Sequence, residues 1–136
     1  MDHGSNLIKI TSQILFAFAC VMAATSVLLA AYVAHLSAGL LPPALRSLQS
    51  ALDLQQFHSL ALLMVAWMGM GRRAAKAHVL AGVCFLLGLF LFSVNIQLIH
   101  LADVGVFRAL TPYGGMAFVA GWLALLWALR FNDQMQ

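Results

Sequence analysis

The chain has 136 residues, of which 63% are apolar and only 8% charged, and its mean hydropathy is +0.94. So few polar side chains cannot cover the exterior of a 14.7 kDa globule, which excludes a soluble domain. Seven Lys and Arg against four acidic residues give a net charge of +3, but they are scattered. They form no basic patch, so the expected surroundings are a lipid bilayer and no nucleic acid is expected to bind.

The charged residues are Asp2, Lys9, Arg46, Asp53, Arg72, Arg73, Lys76, Asp103, Arg108, Arg130 and Asp133. Between them lie four charge-free stretches, 10–45, 54–71, 77–102 and 109–129. A helix needs roughly 20 apolar residues to cross the hydrocarbon core, so each stretch suffices, the second only just. Membrane strands instead alternate polar and apolar residues in segments of about ten, a pattern absent here. The expectation is an all-α membrane protein with four transmembrane helices at about 11–36, 54–70, 77–101 and 112–130. They form one four-helix domain over 1–136.

The first stretch has the outline of a secretory signal, with Lys9 ahead of an apolar run ending in Ala30, Ala31 and Ala34. Its core, 14–36, is longer than a signal core, so it is read as a retained span. In the connection that follows, Pro42-Pro43 ends any arriving helix and suits the first turn of a new one. Leu41, Leu45, Leu48 and Leu52 then recur at helical spacing, with Arg46, Ser47, Gln49 and Ser50 off that stripe. This predicts a short amphipathic outer-surface helix between the first and second transmembrane helices, either separate or running into the second.

Four spans put both termini and the middle loop on one side. That side carries Lys9, Arg72, Arg73, Lys76 and Arg130, against Arg46 and Arg108 on the other. The positive-inside bias therefore predicts cytoplasmic termini. Trp67 and Trp127 fall near the inner helix ends, and Tyr32 and Tyr113 near the outer ends.

Polar side chains inside apolar helices are costly, so each marks a candidate site. Thr25, Tyr32 and His35 share a face of the first helix, Gln55, His58 and Ser59 the expected first turn of the second, and Ser93, Gln97 and His100 one face of the third. Asn95 lies on another side of that helix. The candidate outer-side polar cluster is therefore His35, Gln55, His58, Ser93, Gln97 and His100. Hydrogen bonds between helices are its first reading. A haem or metal centre on the three histidines lacks Cys or acidic ligands nearby, and bulky Phe85, Leu86, Leu89, Phe90 and Phe92 occupy the third helix. No metal or other cofactor is expected.

Cys20 and Cys84 sit in apolar runs without a Cys-x-x-Cys or zinc spacing and read as small buried hydrophobes. Small-x-x-x-small pairs (Ala19-Ala23, Ala30-Ala34, Ala117-Gly121, Ala120-Ala124) suit close helix packing. There is no intramembrane carboxylate pair, phosphate-binding glycine loop, or nucleophile with an evident base, so no enzymatic activity is expected.

The same residues carry a resemblance. Ala34-His35, Gln55-x-x-His58, Leu91-Phe92-Ser93, the helix start Thr111-Pro112-x-Gly114-Gly115, and Ala120-Gly121-Trp122 occur in order over about 12–130. In this order and spacing the chain resembles the YgdD/YwdK family of small bacterial inner-membrane proteins, a domain of unknown function. It departs at Ala30-Ala31-Tyr32-Val33, where that family is glycine-rich, and at Val94-Asn95, where it usually has Gly-Ser. The resemblance implies four membrane helices and an inner-membrane location, but no activity. The leading expectation is an accessory or stabilising subunit of a larger membrane assembly, partnered by another membrane protein or by copies of itself. A small-solute transporter or binder using the polar cluster is the alternative, and a haem or metal protein the second alternative.

Overall fold

In a computed structural model of the chain, described over residues 3–36, 39–71, 76–105 and 108–132 (side chains as far as Ala128 in the last helix), every element is helical. Helix α1 covers His3–Leu36 and α2 covers Pro42–Met70. The third membrane-length helix is α3 (Lys76–Gly88), a π-helical segment (Leu89–Val94) and α4 (Asn95–Leu101), running on as one rod. A 3-10 turn, Arg108–Leu110, leads into α5, Thr111–Asn132. Three of these rods, His3–Leu36, Lys76–Leu101 and Arg108–Ala128, are long and apolar enough to cross a membrane.

The second helix differs from expectation. No separate surface helix forms: Pro42 opens a single helix of 29 residues, about 43 Å long, that runs through the expected boundary at residue 54. After Pro43 it contains no proline, and its first glycine is Gly69, so nothing interrupts it. The leucine stripe, read as facing a membrane surface, faces protein from Leu45 onward, while Leu41 is exposed. Leu48 and Leu52 are buried with Val33, and Leu45 packs beside them. A four-three spacing of leucines suits either role, and the α1 helix beside it decided the matter.

Burial runs opposite to that of a soluble globule. Large apolar side chains such as Val27, Leu28, Leu60, Met64, Trp67, Met116 and Leu126 point outward. Helix α2, with Gln55, His58 and Ser59 among its buried residues, is the most polar of the long helices and turns those groups inward. The core mixes large and small residues: Leu15, Met22, Leu62, Val65, Phe85, Leu89 and Phe118 against Ala19, Ala61, Ala66, Ala81 and Ala124.

Helices α3 and α5 fit through reciprocal aromatic and glycine positions. Phe118 lies over Gly88, where a Cβ would come within 2.4 Å of its ring, and Phe85 lies over Gly121 at 2.5 Å. Further along, Gly114 rests on the backbone of Leu91 and Phe92 within the π segment. The third rod ends with Val104 N–H donating to the carbonyl of Leu98 at 3.1 Å, while Asp103 takes a left-handed conformation (φ 54°) in the position usual for glycine.

Candidate functional site

Gln55 and His58, two of the polar residues picked out in sequence, sit deeper than expected. Gln55 is the fourteenth residue of α2, near its middle, because the helix begins at Pro42. It is 1% exposed and joins three helices. Its Nε2 donates to the carbonyl oxygen of Met22 at 2.9 Å and to Thr25 Oγ1 at 3.1 Å, both on α1. Its Oε1 accepts from Gln97 Nε2 on α4. The Thr25 hydroxyl is directed to its own helix, toward the carbonyls of Val21 (2.9 Å) and Met22 (3.1 Å). A relay of amides and a hydroxyl thus crosses the bundle from α4 through α2 to α1.

One turn along α2, His58 reaches the other way, toward α5. Its ring stacks on Phe118 with centroids 3.7 Å apart and planes 15° from parallel. Phe57, Phe85 and Trp122 surround it at 5.1, 5.6 and 6.2 Å. Trp122 Nε1–H can only donate, and it lies 3.2 Å from His58 Nε2, so that nitrogen accepts. The proton of the neutral ring is then on Nδ1, which donates to the carbonyl of Leu54 at 3.0 Å. A second proton on the ring would set two donors against each other at Trp122. Both ring nitrogens are engaged, so a metal would have to displace a bond to bind here.

The remaining predicted residues divide. Ser93 is fully buried in the π segment, and its hydroxyl, like that of Ser59, has no hydrogen-bond partner among the described residues. His100 is half-buried on α4, and His35 is exposed at the end of α1. The structure therefore joins Gln55 with Gln97 but does not assemble the three histidines. Among the described residues no group of three or more His, Cys, Asp or Glu is placed to hold a metal ion. Asn95, on its separate side of the helix, donates to Thr111 Oγ1 at 3.0 Å and to the Leu91 carbonyl at 3.2 Å, tying the π segment to the start of α5. In the Thr111-Pro112-x-Gly114-Gly115 stretch, Gly114 is buried against the third rod, whereas Gly115 has open space around it.

Trp122, which entered the sequence reading only through the Ala120-Gly121-Trp122 motif, and Phe118 are the contributors absent from the candidate cluster. Trp122 carries a donor-only indole in mid-helix, away from the interfacial positions of Trp67 and Trp127, and that position was the available signal. Phe118 carries no such mark among nine phenylalanines.

Helices with an apolar exterior and buried, hydrogen-bonded amide and imidazole groups define a helical membrane protein. Comparison with known proteins agrees. Residues 29–115 match the family described as protein of unknown function (DUF423). The inner membrane protein YgdD (UPF0382) of Escherichia coli K12 is 34% identical over 124 residues, covering 90% of this chain and 94% of that protein. A UPF0382 membrane protein of Haemophilus influenzae is 35% identical over 73% of this chain and 79% of its own length. The membrane protein YwdK of Bacillus subtilis is 26% identical over 72% and 80%. The chain belongs to this family of bacterial membrane proteins. No solved structure matches it.

Proposed function

We propose that this protein is a non-enzymatic subunit that docks against another membrane protein of the bacterial inner membrane and stabilises the assembly. In this reading all four rods cross the bilayer, and the termini lie in the cytoplasm with the basic middle connection. Of that basic set, Arg72 and Arg73 lie outside the described residues, as does the side chain of Arg130. Trp67, Trp127, Tyr32 and Tyr113 are all exposed, as interfacial anchors must be.

The observation that carries the proposal is a polar stripe pointing out of the bundle. Gln49, Asp53 and Gln56 follow one face of α2, all exposed, and line a shallow groove of about 160 Å³ with Ala30, Val33 and Ala34 of α1. Asp53 is two residues from Gln55, whose amide reaches Met22 near the middle of the apolar part of α1. Carboxylate and amide groups facing lipid at such a position are costly, and a protein partner satisfies them. The alanines of α1 let a partner helix come close. The inward groups already bond to one another, which supports a structural use for them over solute binding.

The test is crosslinking in native membranes from a photoreactive residue placed at Gln49. One discrete protein adduct is expected, and it should weaken in an Asp53→Leu background. Adducts to lipid alone would refute the proposal.

A further inference from the structure

The opposite end of the bundle has a second groove, of different character. It lies between the start of α1 and the start of α3, has a volume of about 420 Å³, and is lined by Gly4, Leu7, Ile8, Thr11, Val79 and Lys76. Gly4, Leu7, Ile8 and Thr11 follow one face of α1, and among the described residues no atom beyond the local helix backbone stands within 4 Å of where a Cβ on Gly4 would be. Its walls are apolar, and its cation, Lys76, is exposed at the first residue of α3. Lys9 is exposed on the same turn of α1 as Ile8. The acidic residues among those described lie away from this groove, Asp53 near the middle of α2 and Asp103 past the far end of the third rod.

We propose that this groove is a binding site for an anionic phospholipid, one acyl chain lying along Leu7, Ile8 and Val79 and the phosphate meeting Lys76. An apolar trough with an ammonium at its lip complements an amphiphile with an anionic head, and basic pockets between membrane helices hold such heads. A zwitterionic lipid fills the trough equally well but brings an amine to the cation. The proposal does not depend on the docking reading, which concerns the other end, nor on which leaflet that end occupies.

The test is native mass spectrometry of the full chain in detergent, with phosphatidylglycerol and phosphatidylethanolamine of identical acyl chains in equal amounts. Wild type is expected to retain phosphatidylglycerol at least about fivefold better, the scale set by one cation near an anionic surface. Lys76→Ala should erase that preference and Lys76→Arg should keep it. Glycerophosphoglycerol, the head group without chains, should not bind. Equal retention of the two lipids, a preference that survives Lys76→Ala, or a second copy of the chain excluding lipid each overturns the proposal. A melting temperature unchanged in Lys76→Ala confirms that the variant is folded when read.

Discussion

Gly114→Ala is expected to destabilise the fold by about 3 kcal/mol, while the same change at the adjacent Gly115 leaves stability equal or slightly raised. A Cβ on residue 114 would stand 2.5 Å from the amide nitrogen of Phe92 and 2.7 Å from the carbonyl carbon of Leu91. Overpacking costs about 1–3 kcal/mol, and an obstacle made of backbone, which cannot rotate aside, puts this case at the upper end. A Cβ on residue 115 would meet nothing within 4 Å beyond the local helix backbone among the described residues, so alanine there brings up to about 1 kcal/mol of helix propensity without a clash. Unfolding both variants in one detergent system measures the contrast. Matching midpoints would mean that α5 does not rest on the Leu91–Phe92 backbone.

Gln55→Leu is the second large effect expected. It removes two donated bonds, to Met22 and Thr25, and one accepted from Gln97. At about 0.6 kcal/mol for each bond inside a membrane protein, the loss is roughly 2 kcal/mol, and the Gln97 amide is left buried without this partner. Adding Gln97→Leu should recover part of that loss, because two apolar residues leave no orphaned donor between them. A double-mutant cycle reads the coupling directly, with about 1 kcal/mol expected. Strict additivity would show that the two amides act separately. His35→Leu in the same background serves as a control, since His35 is exposed.

Much of the architecture was legible in sequence, and the misreadings have definite causes. Charge-free length located the helical rods because a bilayer admits few alternatives to apolar helix. The start of α2 was misplaced because the span was taken to begin with the charge-free stretch after Asp53; Arg46 and Asp53 are both exposed on a helix that simply continues past them. That error moved Gln55 and His58 to a helix end when they belong near its middle. The pairing of Gln55 with Gln97 was anticipated as a kind of contact, since buried amides need partners, although 42 residues separate them. The ring stack of His58 on Phe118 was invisible, because phenylalanine spacing on α5 says nothing about which helix faces it. The π segment was also unreadable, since Leu89–Val94 has no residue that forbids an ordinary helix.

That segment has a consequence for how the third rod tolerates change in length. An ordinary helix advances about 100° for each residue, whereas a π turn absorbs an additional residue into the same circuit. It thereby sets the angular phase between Phe85, which meets α5 below it, and Gln97, which meets α2 above it. Losing one residue within 89–94, with the segment closing as ordinary helix, would keep the far end nearly in phase, whereas closing it as ordinary helix at unchanged length would rotate everything beyond it by about 100°. Gln97 would swing away from Gln55 and Asn95 away from Thr111, while the Phe85–Gly121 contact stayed in place. Within this rod, then, the π turn at 89–94 acts as a dial, deciding which helix the far end addresses.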